Sequence, residues 1–87
     1  MELAESLNTQ GWIEVLIGRQ EAGIEHLSEA ARMNPKGAYY LWLALAHERS
    51  GNRREAREAA DLARKAGDPM SRYERRLLEE LEADLGG

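Results

Sequence analysis

Two histidines, His26 and His47, are the only imidazoles in the chain, and they do not share a helix face. A zinc-protease helix needs two His four residues apart with a Glu between them as general base. His47 is followed by Glu48, but no second His stands four residues on. His26 is expected on the outer surface of its helix. There is no cysteine, which excludes a disulfide scaffold, a thiolate zinc site and thiol catalysis. Ser6, Ser28, Ser50 and Ser71 lack His and Asp partners at a spacing that would activate a hydroxyl nucleophile. Glu79, Glu80 and Glu82 could act as an acid/base pair only inside a cleft that shifts a pKa. Beside Arg75 and Arg76 their ordinary reading is a solvated, ion-paired face. The expectation is a chain with no catalytic residues, no metal and no cofactor.

The composition points the same way. The chain has 87 residues, 43% hydrophobic and 32% charged, which suits one small folded domain, free-standing or cut from a longer chain. Acidic residues number 16 against 12 Lys plus Arg, a net charge of −4. A free-standing nucleic-acid binder needs a clustered positive field, so that class is disfavoured. The longest apolar run, Ala38 to Ala46, is far short of the ~20 residues that span a bilayer, so no membrane insertion is expected. No basic stretch with a following apolar core marks a secretory signal, and a cytoplasmic location is expected.

The elements that must position any site are helices. Thr9 and Val15 are the only Thr and Val, while Ala, Leu, Glu and Arg dominate. Gly18, Asn34-Pro35-Lys36-Gly37, Ser50-Gly51-Asn52 and Gly67-Asp68-Pro69 are stop and start signals. Five antiparallel helices fit between them, over about 3–17, 20–33, 38–49, 53–66 and 71–85. Asn52 with Glu55 reads as a capping box for the fourth helix. Ser71 with Glu74 reads as one for the fifth, with Asp68 before Pro69 as an equally fair start. The third helix, apolar all round, belongs in the middle of the stack. The first and last helices are expected to be one-sided outer elements. Leu77, Leu78, Leu81 and Leu85 make the apolar stripe of the fifth.

The sequence also repeats. A shift of 33 residues lays Gly18 on Gly51, Glu25 on Glu58 and Ala30 on Ala63. A helical hairpin recurring at this period is the signature of a stacked solenoid. Gly11 and Gly23 in the first hairpin, and Ala44 and Ala56 in the second, are small enough to let the paired backbones approach. The pattern Leu7, Gly11, Gly23, Leu27, Ala30 and Pro35, answered by Tyr40, Leu43, Ala44, Gly51, Ala56, Ala63 and Pro69, resembles the tetratricopeptide repeat. The stretch from Leu7 to Ile13 followed by Gly18 looks like a variant common in bacterial members. The resemblance covers about 4–69: repeat one about 4–37, repeat two about 38–69, with a capping helix about 70–85. It implies an all-α, right-handed helical-hairpin solenoid over a single domain, 1–87. Gln10 and Glu14 stand where the family prefers Leu and Tyr, and Ala60 where an aromatic is usual, which implies either hairpins packed less tightly than in a consensus array or a Glu14 that points to a neighbour outside the chain.

The resemblance further implies a concave groove lined by the first helix of each pair. Repeat phase places Asn8, Trp12 and Val15 there from the first helix, Leu41, Leu45, Glu48 and Arg49 from the third, and Arg72 and Arg76 from the fifth. Such a groove suits a protein or peptide partner with an apolar anchor beside an acidic residue. Trp12 is the expected hot spot, although a core position is an open alternative; Trp42 is assigned to the core. The Lys, Asn and Arg clamp by which some family members hold a partner's C-terminal carboxylate is mostly missing, since Asn8, Trp12 and Trp42 occupy its places. The alternative function is assembly: a homo-oligomer whose fourth-helix arginines dock on an acidic end of a second copy.

Overall fold

The structure, a computed structural model, describes residues 2–86. The expected domain span, 1–87, extends one residue beyond it at each end. Five helices follow one another: α1 Leu3–Leu16, α2 Gln20–Met33, α3 Gly37–Arg49, α4 Arg53–Lys65 and α5 Arg72–Gly86. No strand occurs among the described residues. Every expected helix end falls within one residue of the observed one.

The 33-residue repeat is written into the backbone. Gly18 and Gly51 take φ of 94° and 81°, the left-handed conformation that closes a helix C-terminus. The Arg19 N–H then donates to the Glu14 carbonyl, and the Asn52 N–H to the His47 carbonyl, each at 2.8 Å. Gly18 and Gly51 donate to the carbonyls of Val15 and Glu48 at 3.2 and 3.1 Å. All of these bonds are related by the same offset as the sequence.

The other helix ends differ from the reading of capping residues in two places. Asn52 does not cap α4; its side-chain amide turns back onto His47 Nδ1, 3.2 Å away. Asp68 does not start α5; its Oδ1 accepts the Gly37 N–H at 2.8 Å and so ties off the first residue of α3. The Ser71 and Glu74 box does form, with reciprocal bonds of 3.1 and 2.9 Å.

Each hairpin is held by a close seam. In the first, a Cβ added to Gly23 would lie 2.5 Å from the Gly11 carbonyl oxygen, so the α1 and α2 backbones touch directly. In the second, Ala44 and Ala56 are fully buried. Leu27, Val15 and Ala46 fill the space between α2, α1 and α3. Leu41, Leu78, Leu81 and Leu85 meet the alanine stripe Ala56, Ala59, Ala60 and Ala63 between α3, α4 and α5. Burying each such leucine contributes about 1.5–3 kcal/mol. Ala60, small and buried, makes room for those leucines.

The stack is open. Among the described residues α1 packs on α2 and α3 only, and α5 on α4 and α3 only, so the two ends never meet. Overall extents of 33 × 27 × 19 Å fit two helix layers. α3 lies between the others, as expected from its lack of a polar face. α1 is not one-sided: Ala4, Gly11 and Val15 face inward, while Leu3, Ile13, Leu16 and Ile17 on other sides are more than half exposed.

Three of the four α4 arginines, Arg53, Arg57 and Arg64, bond within this chain. Arg57 Nε donates to the Leu85 carbonyl at 3.1 Å, and Arg53 Nη2 to the Asp84 and Leu85 carbonyls at 3.3 and 3.2 Å. Together they satisfy the open carbonyls at the end of α5. Arg64 grips the Glu82 carboxylate through two nitrogens.

Candidate functional site

The candidate site follows from which sides of α1 and α3 remain uncovered. On α3, Tyr39 and Ala46 turn to α1 and α2, while Leu41 and Ala44 turn to α4 and α5. Between these two covered sides run Trp42, Leu45 and Arg49, three and four residues apart. Trp42 and Leu45 are half-buried and Arg49 is exposed. Their equivalents one repeat earlier are Thr9, Trp12 and Leu16 on α1, of which Trp12 is half-buried and the others exposed.

The two stripes meet at the tryptophans. The Trp12 and Trp42 rings lie 5.1 Å apart between centroids, tilted by 51°. That spacing falls in the range where tilted aromatic pairs attract beyond their buried area. Beside them is a hollow of about 230 Å³, lined by Asn8, Thr9, Trp12, Ile13 and Trp42. The Asn8 side-chain oxygen is buried and accepts no hydrogen bond within the chain, at a cost of about 1–3 kcal/mol.

Several expected groove residues stand elsewhere. Val15 is 2% exposed and Leu41 is fully buried, so neither reaches an open groove. Both belong to the hydrophobic core, Val15 against Leu27 and Leu41 against the α5 leucines. Glu48 is exposed but continues the Leu41 side of α3, one residue out of register with the groove stripe. Arg72 and Arg76 are exposed on α5 and line none of the hollow, which is built from α1 and α3 alone. Asn8, Trp12, Leu45 and Arg49 remain at or beside the site.

Three residues were missed: Thr9, Ile13 and Trp42, the last having been assigned wholly to the core. The repeat offset did not decide between Leu41 and Trp42, because Asn8 and Leu41 are 33 residues apart just as Thr9 and Trp42 are. What rejects Leu41 is its packing against the α5 leucines, which no repeat register carries.

The histidines are structural here. His26 is half-buried rather than outward, and its Nδ1 donates to Glu14 Oε1 at 2.5 Å, linking α2 to α1. Glu14 is therefore satisfied inside the chain, not aimed at a neighbour outside it. Burial lowers the pKa of His47, against the opposing pull of Glu55 and Glu58. Among the described residues no group of His, Cys, Asp and Glu is arranged to hold a metal ion. Among the described residues no helix is long and apolar enough to cross a membrane. No family model, no curated protein and no solved structure matches this chain.

Proposed function

We propose that the chain is a protein-interaction module, without catalytic chemistry of its own, that holds a peptide segment of a partner in the groove between α1 and α3. The observation that carries this reading is the half-buried Trp12–Trp42 pair beside an open hollow. Tryptophan offers a large apolar area and one N–H donor, the profile of a binding hot spot. An apolar side chain of the partner enters the hollow. Leu45 extends the apolar floor, and Arg49 pairs with an acidic neighbour of the anchor. The resemblance to tetratricopeptide repeats supports a groove on this side of the stack.

Selection from a random-peptide library tests this. The wild-type chain should enrich peptides with a large apolar residue near an acidic one, and their binding should shift tryptophan emission. Trp12→Ala should weaken capture at least tenfold per folded molecule. Arg49→Glu, at an exposed position that leaves the fold intact, should remove the acidic preference. Peptides that bind both variants as well as the wild type, or that leave the emission unmoved, would place binding elsewhere and reject the groove.

A further inference from the structure

A second surface of α1 is uncovered, and it shares only Ile13 with the tryptophan hollow. Leu3, Ser6, Gln10, Ile13 and Ile17 follow one another at three, four, three and four residues, the spacing of a helix-pairing seam. Leu3 is 61%, Ile13 51% and Ile17 66% exposed. Large apolar side chains grouped in this way on a small domain mark a contact surface. Internal symmetry says what kind of contact. One repeat later, Ser6, Gln10 and Ile13 correspond to Tyr39, Leu43 and Ala46 of α3. Those α3 residues are covered by α1 and α2. The exposed stripe is therefore the face on which this fold seats another helix, and it continues the α2–α3 packing outward.

The chemistry of the molecule narrows the occupant. At the far end of the stack the alanine stripe of α4 is already covered by α5. The outer side of α5 exposes Tyr73 among Arg72, Arg76, Glu79, Glu80 and Asp84, and α2 and α4 each expose one large apolar residue, Met33 and Leu62. These stand singly, so the stripe of a second copy's own α1 is the extended apolar face that it offers, and contact between like faces is twofold symmetric. The stripe is self-complementary in that arrangement. Antiparallel about Gln10, Leu3 meets the partner's Ile17, and Gln10 meets the partner's Gln10, each amide able to donate and accept. Glu2 at the start of one helix comes beside the partner's Arg19 just past the end of the other, at both ends of the seam. The helix dipoles run opposed, which favours the pair.

We propose that α1 pairs antiparallel with α1 of a second copy along the stripe Leu3–Ser6–Gln10–Ile13–Ile17, forming a twofold dimer. One helix pair buries less than the ~1,600 Å² of a standard interface, so the dimer is weak and depends on concentration. Sedimentation equilibrium from micromolar to millimolar chain should show the mass rising from 9.8 kDa toward twice that value. Ile17→Glu should hold the mass at the monomer value over the whole range. A second readout does not depend on that variant's stability. The chain has no cysteine, so Gln10→Cys places a single thiol at the twofold axis. Under mild oxidation it should form a covalent dimer at least tenfold faster than Glu80→Cys on α5. A monomer at millimolar concentration, a dimer indifferent to Ile17→Glu, or equal cross-linking by the two cysteine variants would overturn the proposal; the first would leave the stripe to a helix of a different protein. Ile17 lies outside the tryptophan hollow, so this dimer and the peptide groove can fail independently.

Discussion

Gly23 shows how much of this fold rests on a missing side chain. A Cβ there would lie 2.5 Å from the Gly11 carbonyl oxygen and 2.6 Å from Val15 Cγ2. Two effects compete in Gly23→Ala. Alanine is the better helix former by about 1 kcal/mol. Overpacking a tight seam costs about 1–3 kcal/mol, and here one of the opposing atoms is backbone, which cannot rotate away. The clash should win, and urea denaturation should show a net loss of up to about 2 kcal/mol. A variant as stable as the wild type would mean that α1 and α2 separate freely and that the seam is slack. His47 sets a second residue-scale outcome. Its pKa lies below the ordinary 6.5 because burial disfavours the charged ring. The unfolded chain therefore binds more protons in the window just below pH 6.5, and stability must fall as pH drops through it. Above 6.5 the ring is neutral in both states and contributes no slope. His47→Gln, which keeps a polar side chain near Asn52, should flatten that part of the stability–pH curve. Parallel curves for the two proteins would remove His47 from the acid response.

At the scale of elements, legibility followed amphipathicity. α5 carries Leu78, Leu81 and Leu85 on one side and charges on the other, and both its buried face and its Ser71–Glu74 box were readable. α4 was equally plain, with four alanines buried along one stripe. α3 was not. A helix that is apolar all round announces that it is surrounded, but it carries no direction, so the sequence alone does not distinguish Leu41 from Trp42 as the groove residue. The neighbours decide: α5 covers Leu41, while Trp42 is left beside Trp12. α1 has the same ambiguity and a different outcome, because only α2 and α3 pack on it and part of its apolar surface stays in water. Caps were legible where the residue had one possible partner. They failed at Asn52 and Asp68, where groups brought near by the tertiary fold, His47 and the Gly37 N–H, took the side chains instead.

At the scale of the whole molecule, the stack behaves as two cores that share α3. Leu27 anchors the side made by α1, α2 and α3, and Leu41 with the α5 leucines anchors the side made by α3, α4 and α5. In such quasi-linear folds stability is a sum over neighbouring units, and one end can open while the other holds. The α1–α2 end is held by the close backbone seam at Gly11 and Gly23 and by Leu27 and Val15. The α4–α5 end has three buried leucines and the arginine bonds to the last carbonyls of α5. Leu27→Ala removes a fully buried side chain and should cost about 2–5 kcal/mol at the α1–α2 end. Native-state hydrogen exchange should then show amides of α1 and α2 losing protection by a large factor, while those of α4 and α5 change far less. Uniform loss across all five helices would mean a single cooperative core, with α3 a rigid coupling element instead of the boundary between two units.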